Sequence, residues 1–140
     1  MQQEVEAILG LKKRKGSGPL ALARSIEEGF PPSAIERLKA DLGVTDQFLS
    51  ALVGKTPKTL GRMRAARARL SPIVSDRLYR VAKIYARASE VFEDAAAARE
   101  WLRAPQLGLD ERAPLELLVT EAGARAVEDL LLRIEHGVLA

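Results

Sequence analysis

Glycine and proline punctuate this chain at short intervals, and the punctuation is that of helices. Apolar runs stop at Gly29, Gly43 and Gly54, and new ones open at Ser33 or the prolines before it, at Thr45, at Thr56-Pro57 and at Ser71-Pro72. A Ser or Thr before a helix accepts a free backbone N–H, a proline at the first helical position loses no hydrogen bond, and a glycine past the end takes the left-handed turn. Within the runs, apolar side chains recur at helical spacing, as in Leu78, Val81, Ala82 and Tyr85. Alternating β-branched stretches and Asn-Gly or Asp-Gly hairpin signals are missing. The expected fold is all-α, with seven or eight helices after Pro19.

At 140 residues, 47% of them hydrophobic and 29% charged, the chain has the composition of a soluble globular protein with one domain or two small ones. Residues 1–18 read as a flexible basic leader, a helix-prone stub with Val5, Ile8 and Leu9 followed by a Gly- and Ser-containing linker that carries Lys12-Lys13-Arg14-Lys15. Charge divides the chain. Residues 1–89 hold 17 Lys and Arg against 8 Asp and Glu, whereas residues 90–140 hold 5 against 11. The two parts therefore suit different partners, and we place the domains at 19–89 and 90–140.

Chemistry is scarce. The chain has no cysteine and a single histidine, His136, and its glycines form no phosphate-cradling loop. No catalytic residue, metal ligand or cofactor is expected, and an enzyme has no support. No run of apolar residues is long enough to span a membrane, and acids precede the basic cluster at the N-terminus, opposite to a secretory signal. The expected location is cytoplasmic.

Between Asp46 and Asp76 there is no acidic residue, yet Lys55, Lys58, Arg62, Arg64, Arg67 and Arg69 fall there. Two short helices joined at Gly54, the second carrying most of this charge, have the outline of a helix-turn-helix. With Leu60 and Met63 facing inward, Lys58, Thr59 and Arg62 lie on the face that reads base edges, and Arg64, Arg67 and Arg69 reach phosphates, with Lys55 beside them. A solvated basic face is the alternative.

The last helix is expected to start at the Thr120 cap and end at Gly137, with Val127, Leu130, Leu131, Ile134 and Val138 on one stripe. Beyond it, Val138-Leu139-Ala140 are apolar where a terminus is ordinarily polar. Gly123 costs its helix roughly 1 kcal/mol relative to alanine, which a close helix–helix or chain–chain approach would offset. Trp101 is either core or a partner contact. Arg112 either anchors an interface or binds carbonyls at a helix end.

Residues 70–140 resemble the C-terminal part of the MbcA/ParS/Xre antitoxins, partners of RES-domain toxins. The resemblance is carried by Ser75-Asp76-Arg77, Val91-Phe92, Ala98-Arg99-Glu100-Trp101-Leu102, Arg112 with Pro114-Leu115-Glu116-Leu117-Leu118, Thr120-Glu121-Ala122-Gly123-Ala124 and Arg133-Ile134-Glu135-His136-Gly137-Val138. It implies an Xre-like helix-turn-helix followed by a small helical toxin-binding domain. It further implies a type II antitoxin that covers the active site of a toxin consuming NAD or ADP-ribosylating a target, and that represses its own operon. The toxin-binding residues so implied are Arg112, Pro114, Glu116, Arg133, His136, Gly137, Val138 and Leu139; the last helix, its stripe packed inside this chain, is expected to aim Arg133, His136, Gly137 and Val138-Leu139-Ala140 at the mouth of the toxin's NAD pocket. The expected partners are the RES-domain toxin and promoter DNA, and the expected assembly a homodimer or a hetero-oligomer with the toxin. The sequence departs from the family pattern at Val74, Asp110-Glu111 and Ala113. A stand-alone helix-turn-helix regulator is the alternative function.

Overall fold

A computed structural model describes residues 2–11 and 18–137. Among these the protein is all-α, with helices α1 (Gln2–Leu9), α2 (Pro19–Glu28), α3 (Ser33–Leu42), α4 (Asp46–Val53), α5 (Pro57–Ala65), α6 (Pro72–Phe92), α7 (Ala95–Arg103), α8 (Pro114–Leu117) and α9 (Glu121–Glu135). A single antiparallel backbone bridge, Gln106 to Arg112, is the one strand-like pairing among the described residues. The chain divides into two compact units, Gln2–Ala82 and a second that begins at Lys83, so the division lies inside α6. The charge division read from the sequence falls further along the same helix, at 89/90.

In the first unit the expected caps are formed. The Thr45 hydroxyl accepts Phe48 N–H at 3.0 Å and the Thr56 hydroxyl accepts Thr59 N–H at 3.1 Å. Gly43 and Gly54 close α3 and α4 in the left-handed conformation, at φ 67° and 70°. The faces so aligned bury Ile35, Leu38 and Leu42 of α3, Leu49 and Leu52 of α4, Leu60 of α5 and Leu78 of α6 almost completely. Each such side chain contributes about 1.5–3 kcal/mol on burial.

The first helix differs from the mobile leader expected for residues 1–18. Val5 and Leu9 are buried, α1 packs on α3, and the Arg37 guanidinium donates to the Ala7 carbonyl at 2.9 Å. An apolar pair at i and i+4 on a helix of this length finds burial only against another element, and α3 supplies it. The basic residues 12–17 lie outside the described set.

A second long-range joint ties α2 to α6. Leu70 N–H donates to the Phe30 carbonyl at 2.8 Å, Arg69 donates to the Gly29 carbonyl at 2.9 Å, and Phe30 N–H donates to the Ser75 hydroxyl at 2.9 Å. Gly29 is obligatory here: at φ +88°, a Cβ would lie 2.0 Å from the Leu70 carbonyl oxygen. Ser75 is wholly buried. Ser75→Ala is therefore expected to cost about 1–3 kcal/mol, the desolvation penalty of an orphaned amide, read as a lower urea midpoint with an unchanged slope. An unaltered midpoint would show that Phe30 N–H finds another acceptor.

In the second unit Asp94 caps α7 with both carboxylate oxygens, to Ala96 and Ala97 N–H, and the Thr120 hydroxyl caps α9 by accepting Gly123 N–H at 3.0 Å. Leu102, Leu118, Val127 and Leu131 are fully buried. Trp101 is half-buried, its ring 5.4 Å from that of Phe92 and tilted by 47°. Arg99 donates to the hydroxyl of buried Tyr85 at 2.9 Å.

Candidate functional site

Helices α4 and α5 with the turn at Gly54 make the helix-turn-helix. Glycine is required at the turn by its left-handed backbone, φ 70°, since the one atom that a Cβ on Gly54 would crowd is the movable end of the Arg77 side chain. Lys55, Lys58 and Arg62 are exposed, Thr59 is half-buried, and Arg67 is exposed just beyond α5. None of these four cations makes an ion pair with a described residue. Leu60 is buried beneath them and Met63 half-buried.

Two cations of the expected DNA-facing set are engaged within the fold. Arg64 pairs with Glu36 of α3 and, at 2.9 Å, with Asp46 of α4; Lys39 reaches the same Asp46 oxygen at 2.9 Å. The Arg64 side chain is only 18% exposed. A hydrogen bond from Lys39, aided by Arg64, holds the Asp46 carboxyl below its usual range. Arg64 is thus a tie between α5 and the helices behind it. Arg69 likewise spends an N–H on Gly29, 40 residues away in sequence. Nothing in the local pattern distinguishes these two arginines from their neighbours, because their partners come from other helices.

In the second unit the implied toxin-facing residues fall in different settings. Arg112 and Glu116 are exposed and pair with each other at 3.5 Å across one helical turn. Pro114 is buried as the first residue of α8, which gives it a role within its own unit. Arg133, His136 and Gly137 are exposed at the end of α9, and Gly137 is left-handed at φ 71°. Val138, Leu139 and Ala140 lie outside the described residues. Val127, Leu130 and Leu131 of the stripe are buried and Ile134 half-buried.

The end of α9 is tied to α6 by Arg87, which donates to both Glu135 oxygens, at 3.0 and 2.5 Å, and also to Glu90 at 3.3 Å. These hydrogen bonds lower the Glu135 carboxyl below its ordinary value, with a smaller contribution from His136. A depressed folded-state value means stability present above the unfolded carboxylate range and lost as pH falls through the folded one. Glu135→Gln is expected to lower the melting temperature at pH 6, and its difference from the parent to shrink as the pH is lowered through the folded-state value. A parent and variant that stay parallel across that range would count against the pair.

Between α7 and α8 the chain makes a closed loop around Gln106. Its N–H donates to the Arg112 carbonyl at 3.1 Å, its carbonyl accepts Leu109 and Glu111 N–H at 3.0 Å each, and its side-chain amide donates to the Trp101 and Ala104 carbonyls at 3.0 and 3.1 Å. Leu109 is tucked inward, whereas Leu107 is 83% exposed. Asp110 and Glu111 are both left-handed, at φ 55° and 60°. That conformation costs an L-residue roughly 1–2 kcal/mol. Glu111→Gly is expected to stabilise the unit by about 1 kcal/mol, read from the midpoint of the Trp101 fluorescence transition. A loss of stability would mean that the Glu111 side chain repays its strain.

Among the described residues no cluster could hold a metal ion, and no helix is long and apolar enough to cross a membrane. The family model for the antitoxin Xre-like helix-turn-helix domain matches residues 21–83, and that for the antitoxin Xre/MbcA/ParS C-terminal toxin-binding domain matches residues 87–137. The chain is 32% identical to an antitoxin Xre of Yersinia enterocolitica over 94% of its own length and 88% of the relative's. It is 28% identical to an antitoxin Xre of Photorhabdus laumondii over 89% and 84%, and 41% identical to one of Pseudomonas putida over a shorter stretch, 45% and 40%. A likeness that spans both units in order, at this identity, is more than a shared helix-turn-helix: the chain belongs to the Xre antitoxin family.

Proposed function

We propose that the chain is the antitoxin of a type II toxin–antitoxin system, which acts by binding in the cytoplasm and catalyses nothing. Its second unit covers the active site of a RES-domain toxin that consumes NAD or ADP-ribosylates a target, and its first unit binds the operon's own promoter. The observation that supports this best is the succession, in one chain, of a basic helix-turn-helix and an acidic unit matching a toxin-binding domain. The domain change then falls within α6. The DNA-facing residues are Lys55, Lys58, Thr59, Arg62 and Arg67, with Arg64 and Arg69 holding the fold behind them. The toxin-facing ones include Arg112, Glu116, Arg133, His136 and Gly137, followed by Val138 and Leu139. The working assembly is a homodimer or a hetero-oligomer with toxin, since one small module gives little specificity on DNA.

Co-expression with a RES-domain toxin encoded beside this chain tests the reading directly. The chain is expected to restore growth and cellular NAD, to co-purify with the toxin, and to shift promoter DNA. Growth arrest that persists in its presence would sink the antitoxin reading. A promoter shift without toxin binding would favour the stand-alone regulator.

A further inference from the structure

The loop at residues 106–112 combines three properties rarely found together in a connection. It is cross-tied from within, because Gln106 alone engages Leu109, Glu111 and Arg112 through its backbone and Trp101 and Ala104 through its side chain. It stores backbone strain at Asp110 and Glu111, which sit left-handed in succession. And it holds Leu107 almost entirely in water, at 83% exposure, although buried Leu109 follows two residues later. Strain and rigidity in a surface loop, with an apolar side chain displayed by it, are the features of a pre-shaped binding element.

We propose that Leu107 is the apolar anchor of this chain on its toxin, inserting into a leucine-sized socket whose rim is basic and meets Asp110 and Glu111. The proposal rests on the antitoxin reading and adds to it the anchoring residue and the chemistry of the socket. The sign of the charge selects the partner. The loop lies in the acidic part of the chain, 5 Lys and Arg against 11 Asp and Glu from residue 90 onward, which repels nucleic acid and anionic lipid alike. A second copy docking symmetrically through the same loop would set Asp110 and Glu111 against their own kind. The loop also lies inside the segment that matches a toxin-binding domain. Gln106 is then a positioning residue, fixing the direction in which Leu107 points.

The test uses the full chain and the RES-domain toxin encoded beside it, with affinity measured by titration calorimetry. Leu107→Asp is expected to weaken binding about 30-fold or more, as loss of a hot-spot anchor does, and Leu107→Met to retain it. Because Leu107 is exposed, neither should move the unfolding transition. Gln106→Ala leaves Leu107 in place and is expected to weaken binding several-fold while amide exchange at 107–112 accelerates. If wild-type chain binds the toxin and Leu107→Asp binds within about twofold of it, the anchor is wrong and the antitoxin reading stands. If wild-type chain does not bind the toxin, both fall. Should Leu107→Asp instead convert a toxin-free dimer to monomer by light scattering, the occupant is a second copy and the proposal is overturned.

Discussion

Gly123→Ala is expected to destabilise the second unit by about 3 kcal/mol or more, although helix propensity alone predicts a gain of about 1 kcal/mol. The sign is decided by one backbone atom. A Cβ on Gly123 would lie 1.9 Å from the Leu117 carbonyl oxygen and 3.0 Å from the Thr120 hydroxyl. Neither neighbour can retreat cheaply. Leu117 ends α8 and its carbonyl accepts Thr120 N–H, while the Thr120 hydroxyl is the cap of α9. Moving them opens the packing of Leu118 and Val127, both fully buried, besides losing a cap worth about 1 kcal/mol. Trp101, the chain's one tryptophan, lies in this unit, so urea unfolding followed by its fluorescence isolates the effect. A midpoint equal to or above the parent's would refute it.

Gly123 also marks the border of what was legible. A glycine inside a helix suggests a close approach without saying which atom approaches, and it does not always mark one: a Cβ on Gly61, inside α5, would meet nothing within 4 Å. Signals that act between near neighbours were readable throughout: the Thr45, Thr56 and Thr120 caps, the prolines that open α5 and α6, and the left-handed Gly43, Gly54 and Gly137 all stand where the residue types put them. Interactions between distant segments were not. Ser75 looks like one polar residue of a capped helix until Phe30, 45 residues earlier, is found bonded to it. Val5 and Leu9 look like the start of a frayed arm until α3 covers them.

The loop at 106–112 was opaque for a different reason. Left-handed backbone is advertised by glycine, and here Asp110 and Glu111 adopt it without that advertisement. Their departure from the family pattern was visible in the sequence, whereas its consequence, strain beside an exposed leucine, belongs to the three-dimensional structure. Among the basic residues the limit was one of identity within a class. Composition marks the acid-free stretch as a nucleic-acid face, yet it cannot separate an arginine in solvent from one held by Glu36 and Asp46.

That separation sets up the second large effect. Replacing Lys55 and Arg67 together with glutamine is expected to flatten the salt dependence of promoter binding by about 2 logarithmic slope units, roughly one per phosphate contact. Counterion release makes each contact worth about 0.7 log unit in affinity at ~0.15 M salt relative to 1 M, so the double variant should bind every sequence about thirtyfold more weakly. Arg62, on the base-reading face, should instead cost roughly 1–3 kcal/mol at one base position and little elsewhere. Arg64→Gln gives the contrast. With its guanidinium committed to Glu36 and Asp46, its loss should leave the salt slope unchanged and lower the melting temperature of the first unit, because α5 loses its tie to α3 and α4. Glu36→Gln should reproduce that destabilisation. Were Glu36 only a repulsive neighbour of the DNA, the same substitution would tighten binding instead. A one-unit drop in salt slope for Arg64→Gln, at full thermal stability, would return Arg64 to the phosphate-contacting set and remove it from the fold's internal ties.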